Sequence, residues 1–226
     1  MPDLAIVGYG KMGRLIDQLA PEYGFRVALK RDLEPLAAAD FRGIDVAVDF
    51  TAPDAVRPNV ETIASFGVNM VIGTTGWMEE MDAVRLAVER HSIGLIWSPN
   101  FSIGVNVFSR LVLEAARLLA AEPEYGAWAW EIHHAAKKDA PSGTLRKLVD
   151  EMKQAGYAQP IDVSSSRAGM VPGTHEIGFD SAADTITLRH TARSREGFAR
   201  GALKAAQWII GRKGFYEFSE LLAPGS

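Results

Sequence analysis

The sequence predicts a two-domain protein: a doubly wound parallel α/β sheet, then a smaller α+β domain with a mostly antiparallel sheet. Three observations carry this. Up to Pro99, short apolar runs alternate with amphipathic segments. A glycine-rich loop, GYGKMG at 8–13, joins the first run to the first amphipathic segment. Beyond Pro99 the period changes to strict alternation, in AWAWEI at 127–132, and then to a hairpin pattern.

Leu4 to Val7 are apolar without alternation, as expected of a strand buried on both faces. RLIDQLAPE follows with helical spacing. FRVALK, IDVAVDF (Ile44 to Phe50), VNMVIG (Val68 to Gly73) and GLIWS (Gly94 to Ser98) read as four further strands. MDAVRLAVER reads as a helix between the last two. Val107, Phe108, Leu111, Val112, Ala115, Leu118 and Leu119 mark one face of a long helix. Trp128, Trp130 and Ile132 share one face of the alternating strand, so one face of that sheet is deeply buried. The tryptophans fit either a core or an interface. HEIGF and TITLRHTA flank DSAAD as an antiparallel hairpin, and GFARGALKAAQWIIG closes the chain as a helix. The expected domains are 1–102 with 198–226, and 103–197.

The 226 residues can bury a full core, and 47% hydrophobic with 23% charged residues is ordinary for a globular chain. A net charge of −4 argues against nucleic-acid binding over the whole surface. With no cysteine there is no disulfide framework or thiol chemistry. MPDLAIVGYG lacks the basic start and long apolar run of a signal peptide, and no apolar stretch approaches membrane-spanning length. A cytoplasmic location is expected.

Gly8, Tyr9, Gly10, Lys11, Met12 and Gly13 fit G-x-G-x-x-G in its proper context, after a buried strand and before a helix. Gly8 allows the turn, Gly10 the approach of a pyrophosphate, and Gly13 the packing of helix on strand. The expected tenant is a dinucleotide in a Rossmann-like domain. At the end of the second strand stand Lys30 and Arg31, then Asp32. Basic residues there suit a 2′-phosphate and an acid suits ribose hydroxyls. NADPH or NADH is expected, with a lean to NADPH or use of both.

EIHHAAKKDAPSGT, 131–144, gathers His133, His134, Lys137 and Lys138 ahead of Ser142, Gly143 and Thr144. A helix is expected to begin near Ser142, whose hydroxyl is a natural cap and whose neighbouring N–H groups attract anions. Imidazoles, ammoniums and a helix start together describe a site for a small carboxylate-rich molecule, with groups that can give up a proton. No metal is expected. Adjacent histidines chelate poorly, no H-E-x-x-H is present, and the lysines repel cations.

The segment E-x-H-H-x-x-K-x-D-A-P-S-G-T closely resembles the signature of the 4-hydroxy-tetrahydrodipicolinate reductase family. DFTAPDA, GTTG at 73–76, SPNFSIGVNV, RAGMVPGTHEIGF and RGALKAAQW agree in order, so the resemblance covers essentially the whole chain. It implies reduction of a cyclic imino dicarboxylate with NADH or NADPH, and a homotetramer built through the second domain's sheet. It implies His133 as proton donor or acceptor and Lys137 as acid. His134, Ser142, Gly143 and Thr144 would hold substrate. Gly73, Thr74, Thr75, Ser98, Pro99, Asn100 and Phe101 would contact the nicotinamide end. Two departures stand out: a glycine loop one residue shorter than is common, and a short Asp32–Gly43 connection with no room for a helix. Both bear on the choice of cofactor.

Overall fold

A computed structural model describes residues 1–32 and 34–223. The chain divides into two compact units: Met1–Ile103 with Glu196–Ser226, and Gly104–Arg195.

The first unit runs β1 (Asp3–Val7), α1 (Lys11–Leu19), β2 (Arg26–Arg31), β3 (Val46–Asp49), α2 (Pro53–Ser65), β4 (Asn69–Ile72), α3 (Met81–His91) and β5 (Gly94–Trp97). The chain returns to it as α6 (Glu196–Ile209), β10 (Gly214–Glu217) and α7 (Phe218–Leu221). Its six strands lie in the order β10-β5-β4-β3-β1-β2, and every pairing is parallel. The order reverses at β1, which has β2 on one side and β3 on the other. Such a switch point is where ligands of doubly wound sheets bind, at the carboxyl ends of the strands.

The lack of alternation in β1 has its explanation here. Leu4 and Ile6 pack on one face with α1 and α6, while Ala5 and Val7 pack on the other with α2 and α3. Both faces are dry. Helix α6 approaches through Ala199, Gly201, Ala202, Ala205 and Ala206, all buried. At Gly201 an added Cβ would stand 1.7 Å from the carbonyl oxygen of Phe101. Asn69 fastens the same region, donating from Nδ2 to the Ile209 carbonyl at 2.8 Å and accepting the Gly94 N–H at 2.7 Å.

The second unit holds α4 (Ile103–Leu119, its first residue in the first unit), β6 (Gly126–His133), α5 (Gly143–Gln154), β7 (Ile161–Arg167), β8 (Thr174–Asp180) and β9 (Thr185–Thr191). The strand order is β7-β6-β8-β9. β6 runs parallel to β7, and β6–β8 and β8–β9 are antiparallel. Helices α4 and α5 cover one face through Phe108, Val112, Leu145, Leu148 and Met152. On β6 the deeply buried row is Ala127, Ala129, Glu131 and His133. Trp128, Trp130 and Ile132 occupy the half-buried face, where Arg189 lies over the Trp130 ring. The tryptophans therefore lie outside the core of this unit. Trp128 lies on Gly178, where a Cβ would fall 2.0 Å from its ring.

Four elements escape sequence patterning. β7 reads IDVSSSR, too polar to announce a strand. α2 begins at Pro53 and contains Pro58. The GFARGALKAAQWIIG helix does not close the chain, because GFYE adds β10 and FSEL adds the short α7 beyond α6. The short connection after β2 holds one 3₁₀ turn, Ala38–Phe41, as its length requires. Among the described residues no helix is long and apolar enough to cross a membrane.

Gly201→Ala is expected to lower stability by about 1–3 kcal/mol, because a methyl group forced onto a backbone carbonyl must displace α6. A thermal or denaturant melt that matches the parent chain would refute this.

Candidate active site

In the first unit the turn after β1 is shaped by the protein itself at two of its three glycines. Gly8 has φ +90°, and a Cβ there would meet the Phe50 carbonyl at 2.3 Å. A Cβ on Gly13 would meet the Gly8 carbonyl at 2.3 Å. Around Gly10, among the described residues, no atom beyond its own turn comes within 4 Å of such a Cβ. The protein's own packing thus leaves Gly10 unconstrained, and the open space lies in a pocket of about 570 Å³ lined by Gly8, Gly10, Asp32, Phe50, Thr51 and Asn59. Helix α1 starts at its rim with no side-chain cap and no acid in its first turn. An uncapped positive helix end beside an open glycine fits a diphosphate.

Asp49 organises the neighbouring loops. It is fully buried at the end of β3. Its Oδ1 accepts the Thr51 N–H (3.0 Å), the Thr51 hydroxyl (2.7 Å) and the Thr74 hydroxyl (2.9 Å), and Oδ2 accepts from Asn59 (2.8 Å). Burial pushes its carboxyl above the usual range, against these hydrogen bonds. One carboxylate thereby ties the loop after β3 to Thr74 after β4. Gly73 must be glycine, since a Cβ would enter the Phe50 ring at 2.2 Å.

In the second unit the centre is Glu131, fully buried on β6. Its Oε1 accepts the Ser142 N–H (2.8 Å), the Ser165 hydroxyl (3.1 Å) and the Arg167 guanidinium (2.7 Å). Its Oε2 accepts the Ser142 hydroxyl. Burial alone would raise this carboxyl, but Ser142 and Arg167 outweigh it and hold it at about 2. Ser142 also caps α5, its Oγ accepting the Leu145 N–H at 3.2 Å.

His133 ends the same buried row. Its Nδ1 lies 3.6 Å from Glu131 Oε2 and has no hydrogen-bond partner. Its ring packs edge-on to His175 at 5.1 Å, and its Nε2 faces Gly173, where a Cβ would stand 3.0 Å away. Burial lowers its pKa below the usual imidazole value. Lys137 and Arg167 push the same way, while Glu131 and Asp139 oppose them. His175 is held lower still, at about 4, first by burial and then by His133. The strand stops at His133, and His134 lies half-buried in the turn that follows, its carbonyl accepting the Lys137 N–H at 3.0 Å. Lys137 Nζ pairs with Asp139 at 2.7 Å, and the Asp139 carboxylate also accepts the Gly143 N–H at the start of α5.

Residues 3–101 match the family model described as dihydrodipicolinate reductase, N-terminus, and residues 104–222 match dihydrodipicolinate reductase, C-terminus. The chain belongs to the dihydrodipicolinate reductase family. The 4-hydroxy-tetrahydrodipicolinate reductase of Christiangramia forsetii is 33% identical over 98% of this chain and 98% of its own length. That of Archaeoglobus fulgidus is 34% identical over 94% and 96%. In fold, the chain is similar to a dipicolinate-bound dihydrodipicolinate reductase from Paenisporosarcina sp. TG-14, with a TM-score of 0.81 at 23% identity, covering 98% of this chain and 99% of that one. As a member of the dihydrodipicolinate reductase family the chain is an oxidoreductase that reduces 4-hydroxy-tetrahydrodipicolinate in diaminopimelate and lysine biosynthesis.

Several of the residues expected at the site are engaged by the protein itself. Ser142 is 2% exposed and its hydroxyl is engaged by Glu131 and Leu145. Ser98 and Phe101 turn inward. Ser98 Oγ donates to the Asn100 carbonyl at 2.8 Å, and Phe101 packs on Phe218 at 4.9 Å. Pro99 and Thr75 stay exposed and Asn100 half-buried. Lys30 and Arg31 are the last residues of β2, and both are paired: Lys30 with Asp17 at 2.6 Å beside the Tyr9 ring, Arg31 with Asp40 at 2.7 Å. Asp32 lies nearer the glycine loop, accepting the Tyr9 N–H at 3.2 Å. Lys11 is exposed and Met12 packs against the core of the first unit. Sequence reasoning missed Asp49, Glu131, Arg167 and His175. Asp49 opens DFTAPDA and Glu131 opens the histidine signature, so position in a motif was the available signal.

Gly10→Ala is expected to leave the melting curve close to that of the parent while weakening dinucleotide binding about tenfold or more, ~1.4 kcal/mol. Gly13→Ala is expected to lower the melting temperature. Fluorescence titration and thermal melts of both variants check the pair; equal effects on stability would contradict the geometry.

Proposed function

We propose that the second unit holds the dicarboxylate substrate and moves protons, while the first unit holds the nicotinamide cofactor, which supplies a hydride when bound. What carries this reading is the folding of one contiguous segment. Residues 131–144 form a strand end, a turn and a helix start, so His133, His134, Lys137 and the N–H groups of Gly143 and Thr144 belong to a single loop. A substrate carboxylate has the charge of Asp139 and can take over its partners, Lys137 Nζ and the Gly143 N–H. His134 and the Thr144 N–H complete the holding groups, and α5 adds its positive end.

The chemistry sets the proton inventory. Losing the 4-hydroxyl as water requires a proton delivered to that oxygen and one taken from the ring. Reduction adds hydride and returns a proton. The balance is one hydride and one proton consumed, one water released. His133, neutral at neutral pH in the free protein, becomes a better base and a stronger proton carrier once a dianion sits beside it. Lys137 is the acid that returns the proton. Arg167 and Lys137 also offset negative charge on a ring that already carries two carboxylates.

For the cofactor, the pocket at the end of β2 is lined by Asp32 and Glu34, whereas Lys30 and Arg31 are turned to Asp17 and Asp40. Carboxylates accept ribose hydroxyls and repel a 2′-phosphate. The reading favours NADH over NADPH, against the lean drawn from Lys30 and Arg31 in the sequence.

The half-buried Trp128 and Trp130, on the sheet face turned away from α4 and α5, form the face through which a homotetramer would assemble. Light scattering is expected to show four copies, and Trp130→Asp to reduce the assembly; a monomeric parent chain would end this part of the proposal.

The activity is tested by NADH and NADPH oxidation coupled to a synthase that generates the unstable substrate in place. Oxidation is expected with kcat/KM higher for NADH, and Lys137→Ala is expected to reduce kcat about 10²–10⁴-fold. Absence of oxidation by folded protein that binds the cofactor would overturn the assignment. Equal or better use of NADPH would overturn the cofactor preference alone.

A further inference from the structure

Glu131 touches more of the substrate end than any residue assigned to it. It faces His133 on its own strand, accepts from Ser165 and Arg167 on β7, approaches His175 Nε2 on β8 at 3.4 Å, and accepts both the N–H and the hydroxyl of Ser142 at the start of α5. Ser142 Oγ lies in turn 3.3 Å from His175 Nε2. Arg167 also reaches the Asp139 carbonyl, joining the turn that carries Lys137 to the same carboxylate.

Two roles are open to such a cluster. Glu131, His133 and His175 have a metal site's composition, with ligand atoms within 4.8 Å of one another. The carboxylate, however, already meets four donors, one of them a guanidinium. Its lone pairs are matched to the protein, and a cation would have to displace Arg167 and Ser142. The arrangement fits the other role.

We propose that Glu131 is a positioning residue: one buried carboxylate sets the orientation and proton affinity of His133 and, through Ser142, the place of the α5 start that receives substrate carboxylate. The inference rests on the assignment of His133 and α5 to the substrate. Of the charged groups facing the His133 ring, Glu131 and Asp139 favour its protonated form, and Lys137 and Arg167 oppose it, while His175 packs edge-on to the ring. His190 stands behind His175, on β9. Among these Glu131 is the buried anion nearest the ring, and it faces the otherwise unpartnered Nδ1. A proton on Nδ1 pointing at Glu131 leaves Nε2 as the atom that exchanges protons with substrate.

Glu131→Gln keeps the shape and removes the charge. Its expected effects are a fall of about one unit in the His133 pKa, read by NMR of the ring nitrogens, and a rise in KM for substrate with KM for the cofactor unchanged. A merely structural residue would move neither selectively. A folded variant with the parent His133 pKa and substrate KM would overturn the proposal. Should the variant fail to fold, the parent chain decides: the ring signals of His133, assigned against His133→Asn, are expected to show the neutral proton on Nδ1, and the Nε2–H tautomer would overturn it. These NMR readings do not require turnover. Failure of the reductase assignment would show separately, as a parent chain inactive in the coupled assay.

Discussion

A carboxylate with no access to water must find its hydrogen bonds inside the protein, or it will not stay ionised. At Glu131 that requirement is met by Ser142, Ser165 and Arg167, which come from three separate stretches of chain. Meeting it brings the end of β6, the end of β7 and the start of α5 to one point. His133 and the N–H groups at the start of α5 are then placed by consequence. Removing one partner would leave the others facing an uncompensated charge, so the arrangement holds as a unit.

Asp49 solves the same problem in the first unit. Thr51, Thr74 and Asn59 converge on it, joining the loop after β3, the loop after β4 and helix α2. In each unit the loops around the candidate site are therefore fixed by one buried carboxyl group whose partners are all within the protein. The difference lies in charge balance. Asp49 has only neutral donors, and burial raises its carboxyl. Glu131 has a guanidinium, and its carboxyl is pulled down.

The glycines separate packing from ligand binding. Gly8, Gly13, Gly73 and Gly201 are demanded by the protein, since a Cβ would strike backbone or the Phe50 ring. Gly10 is not, and its open surroundings leave room for the dinucleotide proposed there. A single motif thus holds glycines of two kinds, which a pattern of letters cannot distinguish.

The first five strands of the parallel sheet, the helix that Ser142 caps and the turn through Gly8 were all legible in the sequence. Each depends on residues within one turn or one strand, where periodicity and side-chain chemistry act locally. The histidine-lysine segment was legible for the same reason, being contiguous. β7, β10 and α2 were not, because a polar strand, a four-residue edge and a helix with two prolines owe their existence to neighbours. Nor were the partners of the charged groups. Arg167 meets Glu131 across 36 positions and Arg31 meets Asp40 around a turn, so Lys30 and Arg31 looked available for a phosphate while Glu131 looked like an ordinary strand residue. Local order determined which residues could do the chemistry; only the pairing of distant strands decided which of them would be held in reserve, tied to each other, or left facing the substrate.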